Sequence, residues 1–75
     1  MRVVSVNGNI DILYDNLVLI IEEGHVFGRV AGVDFVFVLA DYSSEEKARK
    51  AVSRLRASYQ MMNVSVFRFP KESDL

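Results

Sequence analysis

Apolar and polar residues along the first forty positions follow the pattern of short strands separated by turns. The strands are expected at residues 2–6, 10–14, 17–22, 26–30 and 34–40. Four dipeptides predict the turns between them: Asn7-Gly8, Asp15-Asn16, Glu23-Gly24 and Ala31-Gly32. Asn7-Gly8 is the strongest of these signals, because both residues tolerate the positive φ that a two-residue hairpin needs.

The period of the apolar residues changes after position 42. Ser43 and Glu46 have the spacing of a capping box, and residues 44–60 are predicted to form a helix. Its apolar stripe is expected to consist of Ala48, Ala51, Val52, Leu55, Tyr59 and Met62. A last strand is predicted at residues 64–69. Pro70 should end that strand and leave residues 70–75 as a frayed tail.

The predicted order of elements is β-β-β-β-β-α-β in one domain over residues 1–75. This order indicates the α+β class, with a mostly antiparallel, curled sheet packed on one C-terminal amphipathic helix. Gly28 lies inside a predicted strand, which indicates a bulge or a close approach of another part of the chain.

Two of the strands are apolar on both faces, although one helix can cover only one face of a sheet. These strands are Leu17–Ile21 and Phe35–Leu39. The helix would cover one set of side chains, and the other set would need a second cover. We expect that set to be Val18, Ile20, Val36 and Val38. A homodimer would supply the cover, and a monomer whose sheet curls over itself is the alternative.

The length of the chain also favours association. Seventy-five residues form one domain whose stability is expected to be marginal unless a disulfide, a metal or a partner is added. The chain has no Cys and one His, so oligomerisation is the remaining option. No apolar run approaches the roughly 18 residues of a membrane helix, and no signal-peptide pattern is present. A cytoplasmic protein that does not enter membranes is expected.

Charge divides the chain into an acidic part and a basic part. Residues 1–42 hold two basic and six acidic side chains, and residues 43–68 hold six basic and two acidic ones, within a net charge of −1. The basic part includes the predicted helix, so its Lys and Arg side chains are candidates for nucleic-acid binding. Against this stand the negative net charge and the absence of aromatic residues between the basic ones. Nucleic acid is therefore the weaker alternative.

No pattern of residues predicts catalysis. His25, the one His, lies in a predicted turn, and no Ser lies in a nucleophile-elbow motif. Asp11 and Asp15 lack the spacing of a calcium loop, and the glycines lack the spacing of a phosphate-binding loop. We expect a protein that is not an enzyme and that holds no metal and no cofactor.

Three segments resemble a group of small phage and prophage proteins of Gram-positive bacteria. They are VVSVNGNIDILY at residues 3–14, YSSEEKARKAVSRLRASY at 42–59 and FRFPKESDL at 67–75. Members have a similar opening hairpin, a Tyr-Ser-x-Glu-Glu-Lys-Ala start to the helix and a closing Phe-x-Phe-Pro. They often have Pro where this chain has Leu13. No activity is attached to the group, so no functional residue carries over. The resemblance implies an accessory protein of a mobile element.

That context favours binding over chemistry. The expected function is counter-defence by a homo-oligomer that sequesters a nucleotide-like immune signal or binds a host defence protein. Arg68, which alternates with apolar residues on the last strand, is the first candidate anion ligand, since Arg recognises phosphate through a rigid fork. The other candidate ligand residues are Arg54, Arg49, Lys50, Tyr42 and Phe69. A nucleic-acid-binding regulator and a virion assembly component are the alternatives.

Overall fold

The computed structural model describes all residues, 1–75, and confirms the α+β class and the predicted order of elements. The strands are β1 (Arg2–Val4), β2 (Asp11–Leu13), β3 (Leu17–Glu22), β4 (His25–Val30), β5 (Phe37–Asp41) and β6 (Val66–Arg68). The helix α1 covers Glu45–Gln60, between β5 and β6. Two short 3-10 helices follow β2 and β6, at Tyr14–Asn16 and Glu72–Asp74.

The strands form two sheets of three rather than one. The first sheet has the order β2-β1-β6, in which β1 pairs parallel with β6 and antiparallel with β2. The second sheet has the order β3-β4-β5 and is antiparallel throughout. The Val6 N–H donates to the Leu39 carbonyl at 2.9 Å and links the two sheets. The single curled sheet that the sequence predicted is therefore two sheets. They meet where Val6, just after β1, contacts β5.

Two of the four predicted turns, Asn7-Gly8 and Glu23-Gly24, differ in type. Glu23 and Gly24 both have positive φ, 51° and 91°, and form a two-residue turn between β3 and β4. At the first turn only Gly8 has a positive φ, 79°. Its N–H donates to the Ser5 carbonyl at 3.0 Å, while the Ser5 N–H donates to the Ile10 carbonyl. The prediction of a two-residue Asn7-Gly8 hairpin was therefore wrong, because a longer loop closes between Ser5 and Ile10.

The strand predicted at residues 34–40 begins three residues later, at Phe37. Phe37 pairs with Gly28, and beyond Gly28 strand β4 pairs with β3 alone. Residues 34–36 consequently have no strand beside them. Phe35, on this segment, packs its ring edge-to-face against Phe37 with the ring centres 4.8 Å apart.

The helix begins one residue later than the capping pattern predicted. Ser44, not Ser43, is the N-cap, and its hydroxyl accepts from the Lys47 N–H at 3.2 Å. The buried stripe consists of Ala48, Ala51, Val52 and Leu55, as expected, but Tyr59, predicted to belong to it, is 47% exposed. Met62 lies beyond the end of the helix with a φ of 61° and is 94% exposed, so it does not belong to the stripe.

The core is small and lies between the helix and both sheets. Fourteen of the 75 residues are buried, and ten of these form one apolar cluster. Its members are Val3, Val26, Leu39, Ala40, Tyr42, Ala48, Ala51, Val52, Leu55 and Phe69. The helix packs on one face of the second sheet, against β3 and β4. The opposite face of that sheet is left without a covering element.

Candidate functional site

The uncovered face of the second sheet is defined by Val18, Ile20, Phe27 and Val38, with Val36 beside them, and is called here the outer face. The register pairs Ile20 with Phe27, and Phe27 with Val38, so these three side chains lie in one row across the sheet. Val18 lies two residues from Ile20 on the same face of β3. The outer face is therefore apolar on all three strands.

The four residues predicted to need a second cover are all exposed. Val18, Ile20, Val36 and Val38 keep between 41% and 49% of their surface accessible. Val26 and Leu39 on the inner face are almost fully buried by contrast. The chain thus does not curl over these four side chains, and their role as an oligomer interface stays a prediction.

A β-bulge in β5 sets which side chains reach the outer face. The pairing of β4 with β5 shifts register between Val26 and Phe27, which gives β5 one extra residue. Leu39 and Ala40 are consequently both buried, although strict alternation predicted that Ala40 shares a face with Val38. The bulge lets β5 bury two consecutive residues and still present Val38 outward.

Charged groups lie at the two ends of the outer face. At one end the His25 Nδ1 lies 2.5 Å from the Asp41 carboxylate, and Glu22 is the cross-strand neighbour of His25. The hydrogen bond to Asp41 raises the pKa of His25, and the charges of Asp41, Glu23 and Glu22 act in the same direction. At the other end Arg29 is the cross-strand neighbour of Val18. One end of the face is therefore acidic and the other basic.

Of the four basic candidate ligand residues, three lie on α1 and Arg68 lies on β6. The Arg68 guanidinium lies beside Gly8 in the first loop, where a Cβ on Gly8 would be 3.7 Å away. Arg49 donates to the Glu45 carboxylate at 3.3 Å, within one turn of the helix. Lys50 and Arg54 are exposed on the helix without an ion pair. None of the four lines the pocket described below.

The two aromatic candidates belong to the core. Phe69 is 1% exposed and packs edge-to-face on Phe67. Tyr42 is also buried, and its hydroxyl donates to the Pro70 carbonyl at 2.8 Å. Burial raises the pKa of Tyr42 to about 12. Neither ring presents a surface to a ligand, so the prediction that they contact one is corrected to a structural role.

The segment after β6 is docked on the helix N-terminus rather than frayed. The Glu72 carboxylate accepts from the Ser43 N–H at 2.6 Å, from the Ser43 hydroxyl at 2.8 Å and from Lys47 Nζ at 3.1 Å. These hydrogen bonds, chiefly those from Ser43, lower the pKa of Glu72. Sequence reasoning missed this contact, because the two serines compete for the N-cap and Glu72 lies 29 positions away. The contact also engages Lys47, one of the cations considered for nucleic-acid binding.

A pocket of about 500 Å³ lies at the end of the helix, away from the outer face. Its lining consists of Met1, Tyr59, Gln60, Met62 and Val64. Tyr59 stacks on Tyr14 with the ring centres 4.5 Å apart. The lining holds no charged side chain. No pattern in the sequence predicted this pocket.

No three His, Asp or Glu side chains lie together as a metal site would require. The structure has no helix of the length and apolar character needed to cross a membrane. Comparison of this chain with protein-family models, with curated proteins and with solved structures finds no match.

Proposed function

We propose that this chain is a non-catalytic binding protein that acts as a homo-oligomer, and that its outer face is the contact between two copies. The proposal rests chiefly on one observation. Four large apolar side chains remain about half exposed: Val18, Ile20 and Val38 on one face of a sheet, and Val36 two residues before Val38. Contiguous apolar surface of this kind is typical of a protein contact.

The energy available from this contact is large for so small a domain. Full burial of an exposed Val or Ile side chain contributes roughly 1.5–3 kcal/mol. Because the four side chains are already half covered, their complete burial would add roughly 3–6 kcal/mol for each copy. A chain of this length is expected to have a free energy of unfolding of roughly 4–11 kcal/mol on its own.

The charges at the ends of the outer face favour a second copy as the partner. A two-fold axis that lies in the plane of the contact, perpendicular to the strands, would place the Arg29 end of one copy over the acidic end of the other, with Glu22 and Asp41. Opposite charges at the rim would orient the two copies, while the apolar residues would form the centre. A self-complementary surface is what a two-fold contact requires.

Substitution of Val38 by Glu tests this contact. The wild-type protein should sediment with at least twice the 8.5 kDa mass of the chain at micromolar concentration, and Val38→Glu should reduce the mass. The added carboxylate would be desolvated in the contact, which costs several kcal/mol. The matched control is Val66→Glu, since Val66 is a strand Val that is 52% exposed on the other sheet. A wild-type protein that stays a monomer at roughly 100 micromolar, a concentration at which even a weak dimer would be populated, would contradict the proposal.

The biological role that we propose is counter-defence by an accessory protein of a mobile element, by sequestration of a nucleotide-like signal or of a host protein. The resemblance of the two ends of the chain to phage proteins supports it, and so do the exposed Arg68, Arg54 and Lys50. A thermal-shift screen against cyclic nucleotides and ADP-ribose derivatives tests the small-molecule form. We expect at least one compound to raise the melting temperature of the wild type and not of an Arg68→Ala variant. No shift across the panel would exclude that form.

A further inference from the structure

Strand β3 has a free edge as well as an exposed face. Its partner β4 lies on one side, and β3 is the outermost strand of its sheet. Asn16 and Ala31, which flank the paired strands, are joined by a backbone hydrogen bond. The alternation of an antiparallel ladder then directs the N–H and C=O groups of Val18, Ile20 and Glu22 towards β4. The N–H and C=O groups of Leu19 and Ile21 point in the opposite direction, away from β4 and towards the open edge of the sheet.

These outward backbone groups have no partner in the chain. None of the hydrogen bonds outside the regular elements involves a residue of β3 between Val18 and Glu22, and no side chain bonds to them. Both residues are only partly buried, so the edge reaches the surface. An exposed row of N–H and C=O groups is a template for pairing with another strand.

The edge also lacks the features with which proteins usually block such pairing. Short length, Pro, Lys and bulges are the common ones. The other sheet ends in β2 and β6, which are three residues long, and β5 carries the bulge. In contrast, β3 has six residues, pairs with β4 without interruption and bears its one charge at Glu22. It is thus the longest and least protected edge in the molecule.

The sequence of β3 is compatible with itself in one register. We propose that β3 of one copy pairs antiparallel with β3 of a second copy, centred on Leu19. The outward-pointing backbone groups of Leu19 would then meet those of Leu19 in the other copy. Val18 would lie opposite Ile20, and Leu17 opposite Ile21, so every apolar residue faces an apolar one. A shift of one position, centred on Ile20, would place Val18 opposite Glu22, which is the less favourable register.

This edge contact is separate from the outer-face contact and does not depend on it. Edge pairing would join the two second sheets into one sheet of six strands. The outer faces of both copies would then form one continuous apolar surface. If both contacts form, two edge-paired dimers stack face to face into a tetramer with three perpendicular two-fold axes, which is a common arrangement of homo-oligomers.

Engineered cysteines test the register directly, because the chain has no Cys of its own. Val18→Cys and Ile20→Cys are prepared as separate proteins, each also carrying Val38→Glu to remove the outer-face contact. After mixing and mild oxidation, the disulfide between the two variants should exceed that of either variant with itself by about tenfold, because only the mixed pair has Cα atoms within bridging distance. Random pairing, which gives about twice as much mixed disulfide as either self-disulfide, or no disulfide at all, would overturn the proposed pairing.

Amide hydrogen exchange of the Val38→Glu protein provides a second measurement without any change in β3. The Leu19 and Ile21 amides should exchange slowly at high protein concentration and become faster on dilution. The Val18 and Ile20 amides, which bond to β4, are the internal control and should be slow at both concentrations. Concentration-independent exchange at Leu19 and Ile21 would contradict edge pairing and leave the outer-face contact untouched.

Discussion

Replacement of Gly24 by Ala is expected to destabilise the fold by about 2–4 kcal/mol. Gly24 has a φ of 91°, and a Cβ at this position would lie 2.5 Å from the Tyr42 carbonyl oxygen. The Gly24 carbonyl itself accepts from the Tyr42 N–H, so the two backbones are held together. A backbone atom has no rotamer with which to avoid the methyl group. The clash must therefore move the segment that leads from β5 into the helix.

The matched control is Gly32→Ala. Gly32 has a similar φ of 84°, but no atom lies within 4 Å of its Cβ position. This variant should lose only about 1 kcal/mol, the cost of the backbone conformation. Urea unfolding of both variants separates the conformational cost from the clash. If the two free energies of unfolding fall equally, the close approach of Gly24 to Tyr42 has no energetic consequence.

Replacement of Phe69 by Ala is expected to cost about 3–5 kcal/mol, as large aromatic deletions in a core do. Phe69 is 1% exposed and belongs to the apolar cluster beneath the helix. Its N–H also donates to the Val4 carbonyl at 3.0 Å, which continues the pairing of β6 with β1. Because the total stability is expected to be roughly 4–11 kcal/mol, the variant should lose at least about a quarter of it.

An aromatic residue on the surface provides the comparison. Phe35 is 59% exposed, and Phe35→Ala should change the free energy of unfolding by less than about 1 kcal/mol. Circular dichroism during denaturation measures both variants. A free energy of unfolding that falls no further in Phe69→Ala than in Phe35→Ala would contradict the core role of Phe69 and restore it as a candidate ligand residue.

The elements with a strong local signal were predictable from the sequence. The buried helix stripe from Ala48 to Leu55 follows the helical period, and the turn at Glu23-Gly24 is determined by two adjacent residues. Gly28 was expected to mark a bulge or a close approach. A Cβ there would lie 2.7 Å from Leu39 and 2.9 Å from Leu17, and the bulge lies beside it.

Features that depend on distant residues were not predictable. The division into two sheets arises from the parallel pairing of β1 with β6, which no local pattern encodes. The burial of Ala40 beside Leu39 needs a bulge that strict alternation does not show. Tyr42 and Phe69 have the chemistry of ligand residues, and only their positions between helix and sheets reveal a core role. The Glu72 contact is similarly not encoded in a local pattern, because Glu72 and Ser43 are 29 positions apart.

The exposed set of Val18, Ile20, Val36 and Val38 was predictable for a different reason. Two strands are apolar on both faces, and one helix can cover only one face of a sheet. This comparison needs the composition and the number of elements, but not the order of the strands. The free edge of β3 could not be inferred in this way, since it depends on which strand is outermost. The sequence was therefore sufficient to predict the uncovered apolar residues of the outer face. The free edge of β3 beside them became evident only from the topology.

The parallel pairing of β1 with β6 has a consequence for the order of assembly during synthesis. Arg2 pairs with Val66, sixty-four positions later, so the first strand emerges long before its permanent neighbour exists. The hairpin of β3 and β4 and the helix need only nearby chain and can form earlier. A nascent chain would hold Val3, a central core residue, without its final packing until nearly all of the sequence has been translated. For that interval β1 remains accessible to chaperones.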